Sequence, residues 1–192
     1  MKKLKLISLA IFASAFIAQN VCAEPLKYQI ESNHANIVWF ANHFGFSNQS
    51  GKFSDITGEI IFDEAKPEKS SVNVVIKIDS LTTGLPKFDA HLKSADFFNV
   101  KEFPTANFVS KKIKVTGKNK AKIEGDLTLH GVTKPVILDV KFNKSGVSVV
   151  TQKQTVGFSA TTTIKRSEFG IQYAIPGVLD KVDLIIEAEA NR

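Results

Sequence analysis

The chain contains very little cysteine, methionine or tryptophan, with one residue of each among 192. Its cysteine, Cys22, closes an N-terminal stretch that has a basic start, an apolar run at 6–18 and the small-residue sequence Val21-Cys22-Ala23, the three parts of a secretory signal. We therefore expect a signal peptide at 1–23, export to the periplasm, and one mature domain at 24–192. Removing 23 of the 192 residues leaves 169, without cysteine. An exported domain without disulfides must be stabilised by an apolar core, and this length suffices for one.

A strong excess of one sign of charge is also absent. The net charge of +6 falls to +3 once the three lysines of the predicted signal are removed, which leaves 22 basic against 19 acidic residues. The densest basic run, residues 111–122, contains no aromatic residue, so we expect no nucleic-acid binding. Weak attraction to an anionic membrane surface is all that this charge supports.

Beyond the predicted signal, period-2 alternation of apolar and polar residues dominates the pattern. It is clearest at 72–78, 123–129, 136–142, 156–164 and 182–188. With Ile30, 37–39 and 53–62, these segments predict eight or nine strands, separated by turn signals rich in Gly, Pro and Asn. Many antiparallel strands with one apolar face indicate an all-β sandwich or closed barrel.

One segment, residues 87–98, departs from this alternation and has helical spacing. Phe88, His91, Leu92 and Ala95 fall at i, i+3, i+4 and i+7. An apolar helix added to a sheet must cover something, and the open end of an eight-stranded barrel is the place we expect. This favours a barrel over a sandwich and suggests that the helix is a lid or a plug. One Trp and two Tyr are too few for the aromatic girdles of an outer-membrane barrel, so an apolar lumen is predicted.

Four motifs in order carry a family resemblance over residues 26–190. They are Tyr28-Gln29-Ile30 with His34 and 42–46, FDAHLKSADFFNVKEFPTANFVS at 88–110, GDLTLHGVTKPVILDV at 125–140, and IKRSEFGI at 164–171. The chain thereby resembles the YceI-like family of secreted, lipocalin-like, polyisoprenoid-binding proteins. Two positions depart from the family pattern: Phe88 stands where a basic residue is usual, and Ala35 stands where serine commonly follows the histidine.

The resemblance implies an eight-stranded antiparallel lipocalin-like barrel with a short helix near its mouth. It further implies a long apolar ligand, similar to a polyprenyl chain or another long-chain acyl amphiphile. No catalytic activity and no cofactor are implied, and a homodimer is compatible with it.

The fifteen phenylalanines are the physical basis for a lipid ligand, because contact area alone can hold an apolar tail at about 0.8 kcal/mol per buried methylene. They either line a lumen or simply pack the core. The predicted ligand-binding residues are Trp39, His43, Phe44, Phe46, Phe88, Leu92, Phe97, Phe98, Phe103, Phe108, Leu127, Leu129, Phe158, Ile164, Arg166 and Phe169.

Arg166 is the most informative single residue of this set. Extending the apolar face of Phe158 and Ile164 by two residues places Arg166 on the same side. A buried guanidinium needs a partner, which is either a phosphate or carboxylate head group or a structural acid. The candidate acids are Asp89, Glu168 and Asp180.

Other functions receive less support from the motifs. Asp89 and His91, with His34 or His43, form the best metal-site candidate, but the histidines are scattered and no HExxH pair is present. No Gly-x-Ser-x-Gly motif is present either. We predict a binding protein without metal. The alternatives are an enzyme acting on an isoprenoid or quinone-type lipid, and a stress-related interaction module without ligand.

Overall fold

The computed structural model describes residues 24–192, so the signal peptide predicted at 1–23 lies outside the described residues. Nine strands and one α-helix form in the order β1 to β4, α1, β5 to β9. The strands are β1 Leu26–His43, β2 Ser47–Phe53, β3 Ile56–Phe62, β4 Ser71–Lys77, β5 Thr105–Gly117, β6 Lys120–Leu129, β7 Val132–Val147, β8 Gln154–Lys165 and β9 Val178–Asn191. The helix, α1, is Pro86–Lys93, and single 3₁₀ turns occur at Pro67–Lys69, Ile78–Ser80 and Arg166–Phe169.

The strands close into one antiparallel barrel because the first strand pairs with the last. β1 bonds to β9, with Ile37 opposite Ile186. It also bonds to β2 through its C-terminal half and to β3 through its N-terminal half. Only Ser54 and Asp55 separate β2 from β3, so these two act as one bent strand of an eight-stranded barrel. The predicted fold class is confirmed.

Alternation in the sequence decides which side chains face the interior, since successive residues of a strand point to opposite faces. On β9, the Val182 and Leu184 side chains line the interior, whereas Asp183 accepts a hydrogen bond from the Thr163 hydroxyl on the outer face. The charged residue therefore stays in water, and the apolar residues form the core.

The helix is shorter than predicted. It begins at Pro86, where proline fits because the first helical N–H has no intrahelical partner, and it ends at Lys93 rather than Phe98. Ser94 takes an extended conformation and its hydroxyl donates to the carbonyl of His91. Residues 95–102 are turns packed against the barrel end. No helix among residues 24–192 is long and apolar enough to cross a membrane.

Two apolar clusters occupy the two ends of the barrel. The larger contains Trp39, Phe53 and Leu129 and packs against α1. The smaller contains Tyr28, Phe62 and neighbours from the N-terminal end of β8 and the C-terminal end of β9. We call the α1 end the mouth and the opposite end the far end.

Candidate ligand-binding site

A cavity of about 400 Å³ lies inside the barrel at the mouth. Strand side chains form its walls, and α1 with the loop at 171–178 forms its cover. The side chains around it are mostly apolar, and they are Ile37, Trp39, Ala41, His43, Phe44, Gln49, Phe53, Ile76, Ile78, Phe88, His91, Leu92, Phe97, Phe98, Ala106, Leu127, Leu129, Ile164, Arg166, Ile171, Tyr173, Ala174, Val178, Val182 and Leu184. This volume is within the range of small-molecule sites, about 300–1,000 Å³.

Trp39 is the largest side chain in the wall. It is 7% exposed, and its indole lies directly over Gly51 of β2, where a Cβ atom would stand only 2.7 Å from the ring. Glycine at position 51 therefore creates the space that the indole fills. The buried indole N–H has no hydrogen-bond partner among residues 24–192, while the ring itself supplies apolar contact surface to the cavity wall.

Aromatic contacts hold the cover of the cavity together. The Phe97 ring lies 5.1 Å from that of His91 on α1 and 5.1 Å from that of Tyr173 in the 171–178 loop. The Phe98 ring meets Phe53 of β2 edge-on at 5.5 Å. The turns after α1 thus pack on the barrel through aromatic side chains, whereas the 171–178 loop is also held by a backbone hydrogen bond from the Phe44 N–H to the Gly177 carbonyl at 2.7 Å.

Arg166 follows β8 and is 6% exposed. Its guanidinium donates to four backbone carbonyls of the following segment, those of Ile171 at 3.2 Å, Tyr173 at 2.8 Å, Val178 at 2.8 Å and Leu179 at 3.1 Å. Four of its five N–H donors therefore fix the loop that covers the cavity.

The acids suggested from the sequence are not hydrogen-bonded to Arg166. Burial lowers the pKa of Arg166, and the nearby Asp180 carboxylate opposes that shift. Asp180 itself accepts hydrogen bonds from the backbone N–H and the hydroxyl of Ser167, both at 2.8 Å. Arg166 borders the cavity, but most of its hydrogen-bonding capacity is committed to the protein backbone.

Asp89 connects α1 to the preceding segment. Its carboxylate accepts hydrogen bonds from the Thr83 N–H at 2.7 Å, the Thr83 hydroxyl at 2.6 Å and the Thr82 hydroxyl at 3.2 Å. These bonds, first of all that from the Thr83 hydroxyl, lower the pKa of Asp89. The group therefore acts as an ionised anchor for the helix.

The residues of the metal-site alternative are engaged elsewhere. Asp89 is held by Thr82 and Thr83, His91 contacts Asp96 at 3.0 Å, and His34 is hydrogen-bonded to Glu31. The described part of the chain contains no group of three or more His, Cys, Asp or Glu side chains that could hold a metal ion.

The structure brings eleven of the sixteen predicted site residues together around this cavity. They are Trp39, His43, Phe44, Phe88, Leu92, Phe97, Phe98, Leu127, Leu129, Ile164 and Arg166. That they bind a ligand remains a prediction.

The other five predicted residues lie elsewhere. Phe46 is 90% exposed beside the mouth, and Phe169 is buried in the core. Phe103 packs on the ring of His130 outside the cavity, and Phe108 is buried deeper in the barrel. Phe158 borders a different cavity at the far end. For Phe108 and Phe158, position along an apolar strand face identifies an inward residue but not its depth, whereas Phe46, Phe103 and Phe169 lie outside the strands, where alternation gives no direction.

Several cavity residues were missed from the sequence. Ile37 and Ala41 of β1, and Val182 and Leu184 of β9, follow the same alternation as the predicted residues, so this pattern could have identified them. Tyr173 lies in an irregular loop without periodicity, and its sequence neighbourhood gave no comparable signal.

Comparisons with known proteins agree over most of the chain. The sequence model of the YceI-like domain matches residues 28–190. A UPF0312 protein of Pseudomonas putida (strain W619) is 40% identical over 190 residues, covering 98% of this chain and 97% of the relative. The crystal structure of a Campylobacter jejuni YCEI protein is 35% identical with a TM-score of 0.71, covering 79% of this chain and 89% of that one.

A more distant structure shares the fold. It is described as a polyisoprenoid binding domain from Saccharophagus degradans implicated in plant cell wall breakdown. Its sequence identity is 11% and its TM-score 0.64, covering 85% of this chain and 97% of that one.

Proposed function

The chain belongs to the YceI-like family, and from this premise we propose that it binds and sequesters a long apolar ligand in the mouth cavity. The apolar tail lies against Trp39 and the phenylalanines of the cover, and the polar head stays at the mouth. A polyisoprenoid is the ligand class we propose, with a long-chain acyl amphiphile as the nearest relative. The neighbouring fold described as polyisoprenoid-binding supports this choice by analogy.

The observation that carries the proposal is an apolar cavity of about 400 Å³ beneath a cover in which Phe97 and Phe98 make aromatic contacts to His91 and Phe53. Such a site supplies contact area with few directional hydrogen bonds, as an unfunctionalised hydrocarbon chain requires. Its polar side chains, among them His43, His91 and Arg166, are few against the apolar wall. Binding without turnover is therefore the function we propose, and turnover of a bound lipid or quinone would contradict it.

Location and partners are part of the same proposal. We place the protein in the periplasm on the basis of the N-terminal signal pattern, where a carrier would shield an apolar chain from water. Apolar side chains exposed beside the mouth, including Phe44, Phe46 and Tyr173, are suited to weak contact with a membrane surface. We propose that the ligand enters there. A homodimer remains compatible with the family.

The single tryptophan provides a direct test, because Trp39 borders the cavity. We expect solanesol, a long polyprenol, to change the Trp39 emission saturably, and a quinone carrying a polyprenyl tail to quench it. Ala41→Phe, which places a ring in the cavity, should abolish both responses. A wild-type emission that no polyprenyl probe changes would contradict the proposal.

A further inference from the structure

A second cavity of about 380 Å³ opens at the far end of the barrel. Its side chains come from β3 and β4, the β5–β6 hairpin, and β7 and β8. They include the rings of Phe62, Phe142 and Phe158, which lie 5.3 to 5.6 Å from one another. Among residues 24–192, none borders both cavities.

The two cavities are separated by a packed layer. Along β6, Leu127 borders the mouth cavity and Ile123 borders the far cavity, with Gly125 between them. The buried ring of Phe108 lies on Gly125, where a Cβ atom would stand 2.4 Å from it. Phe108 borders neither cavity, so its ring occupies the space that would otherwise join them.

The far cavity has the character of a ligand site. Its walls are aliphatic and aromatic, with Val72, Ile113 and Val140 completing the phenylalanine group. Its volume is within the range of small-molecule sites, whereas packing voids in protein interiors are rarely larger than a water molecule. A compact apolar group fits this surface.

The charged side chains at the opening of the far cavity indicate the charge of the ligand's head group. Lys118 and Lys120 border the opening on one side and Glu64 on the other. Lys120 stands directly opposite Lys141 in the β6–β7 ladder, and because their neighbours Ala121 and Val140 border the cavity, this lysine pair lies on the outer face beside the opening. None of the three lysines makes an ion pair in the part of the chain that the structure describes. An anionic head group at this side of the opening is attracted by the positive charge of these lysines.

We propose that the far cavity is a second binding site, which takes a single-chain carboxylate amphiphile with its tail among Phe62, Phe142 and Phe158 and its carboxylate at the Lys118–Lys120 side. The site is independent of the polyprenyl site at the mouth. A molecule bound there is separated by Phe108 from Trp39, so both sites can be occupied at once.

The test uses dodecanoate below its micelle concentration and a matched pair of blocking variants. Ala41→Phe fills the mouth cavity and Ala121→Phe fills the far cavity, since each alanine borders its own cavity. Calorimetry should detect one equivalent of dodecanoate bound to Ala41→Phe. Affinity should fall at least tenfold in the Ala41→Phe/Ala121→Phe double variant. Equal binding by these two variants, or no binding to Ala41→Phe, would overturn the proposal.

Methyl NMR of the wild-type protein tests independently which cavity binds dodecanoate. Dodecanoate should shift the methyl signals of Val72, Ile113 and Val140. Shifts confined to Leu127 and Leu184, which border the mouth cavity, would overturn the second site even if a blocking variant failed to fold.

The rim charges have their own control. The Lys118→Gln/Lys120→Gln double variant should weaken dodecanoate binding at least threefold and leave dodecanol binding unchanged, and Glu64→Gln should strengthen dodecanoate binding. Equal effects on the acid and the alcohol would overturn the carboxylate assignment. The solanesol response of Trp39 is measured separately, so failure of the second site and failure of the proposed function are distinguishable.

Discussion

At the scale of single residues, Arg166 is the side chain whose role the structure changes most. Its donors hold four carbonyls of the loop over the mouth cavity. Replacing it by glutamine leaves buried acceptors without donors, so we expect Arg166→Gln to lower the free energy of unfolding by about 2–4 kcal/mol, measured by urea denaturation. Arg166→Lys keeps the charge but not the fork of donors and should recover only part of this loss.

If Arg166 instead served to bind the ligand, Arg166→Gln would change ligand preference rather than stability. If it recognised an anionic head group, Arg166→Gln would retain wild-type stability and lose its preference for a polyprenyl phosphate over the corresponding alcohol.

Asp89 makes the free energy of unfolding depend on pH. Its pKa is lowered in the folded protein by the hydrogen bonds from Thr83 and Thr82. The folded state therefore binds a proton less readily than the unfolded state, whose pKa is near 3.8. The stabilisation is fully present above that value and is lost as pH falls through the folded pKa.

Asp89→Asn should accordingly be less stable than wild type at neutral pH, and the difference should shrink on acidification below about pH 4. Thermal melts across this range provide the measurement. Asp79→Asn is the matched control, because Asp79 is well exposed and its ion pair with Lys93 should contribute little. A constant difference between wild type and Asp89→Asn at all pH values would contradict this assignment.

At the scale of elements, the cover of the mouth cavity is the segment to test. Phe97 and Phe98 join α1 and its following turns to Tyr173 and Phe53. Truncating each to alanine should increase the dissociation rate of a bound polyprenol about tenfold, since losing a buried aromatic contact costs on the order of 1–3 kcal/mol. Stopped-flow displacement followed by Trp39 emission measures that rate.

Phe103→Ala is the control for the cover, because Phe103 packs on His130 outside the cavity. Its dissociation rate should match that of wild type. Unchanged rates in Phe97→Ala and Phe98→Ala would exclude a lid function for this segment.

The contact between β5 and β6 that divides the barrel makes a second prediction at this scale. Gly125→Ala places a Cβ atom 2.4 Å from the Phe108 ring, and such overpacking costs about 1–3 kcal/mol. Equilibrium unfolding should show this loss in the wild-type background and a smaller one in Phe108→Ala, where only the 2.6 Å approach of the Cβ atom to the Val109 carbonyl oxygen remains. Equal losses in both backgrounds would mean that the ring does not lie on Gly125.

The strands and α1 also show how much of the fold can be predicted from the sequence. Period-2 alternation predicted the strands, since inward and outward faces differ in polarity along almost every strand, and the apolar helical segment and the family resemblance predicted the barrel. Helical spacing identified α1 but extended it to Phe98, because apolar spacing does not reveal that Ser94 ends the helix through its own hydrogen bond to His91. The partners of Arg166 were not predictable, since backbone carbonyls of an irregular loop carry no residue-type signal.

At the scale of the whole molecule, the barrel interior is divided into two cavities, one at each end, with different lining residues. Alternation predicted an apolar interior but not its division, which depends on one ring lying over one glycine. Phe158 is therefore predicted to share one ligand-binding lumen with the mouth residues, although it borders the far cavity. Depth along the barrel axis depends on strand register, and a single sequence does not provide it.

The mouth end is also the one we propose to contact membranes. Phe46→Ser should reduce sedimentation with vesicles of phosphatidylethanolamine and phosphatidylglycerol about fivefold, because an exposed phenylalanine gains on the order of 1–2 kcal/mol on burial. Val149→Ser is a matched control, since Val149 is 88% exposed in the β7–β8 connection, away from the mouth. Equal loss in both variants would contradict a mouth-directed orientation.

Native mass spectrometry of the protein purified from its own host tests the central claim most directly. The account predicts a discrete added mass on the mature chain, released by solvent extraction and identified as a long-chain isoprenoid or acyl species. An isoprenoid mass should be missing from Ala41→Phe and present in Ala121→Phe, which assigns it to the mouth cavity, whereas a carboxylate amphiphile bound at the far cavity should remain on Ala41→Phe. A protein that is free of ligand as purified, and stays so after challenge with polyprenols and long-chain lipids, would contradict the account.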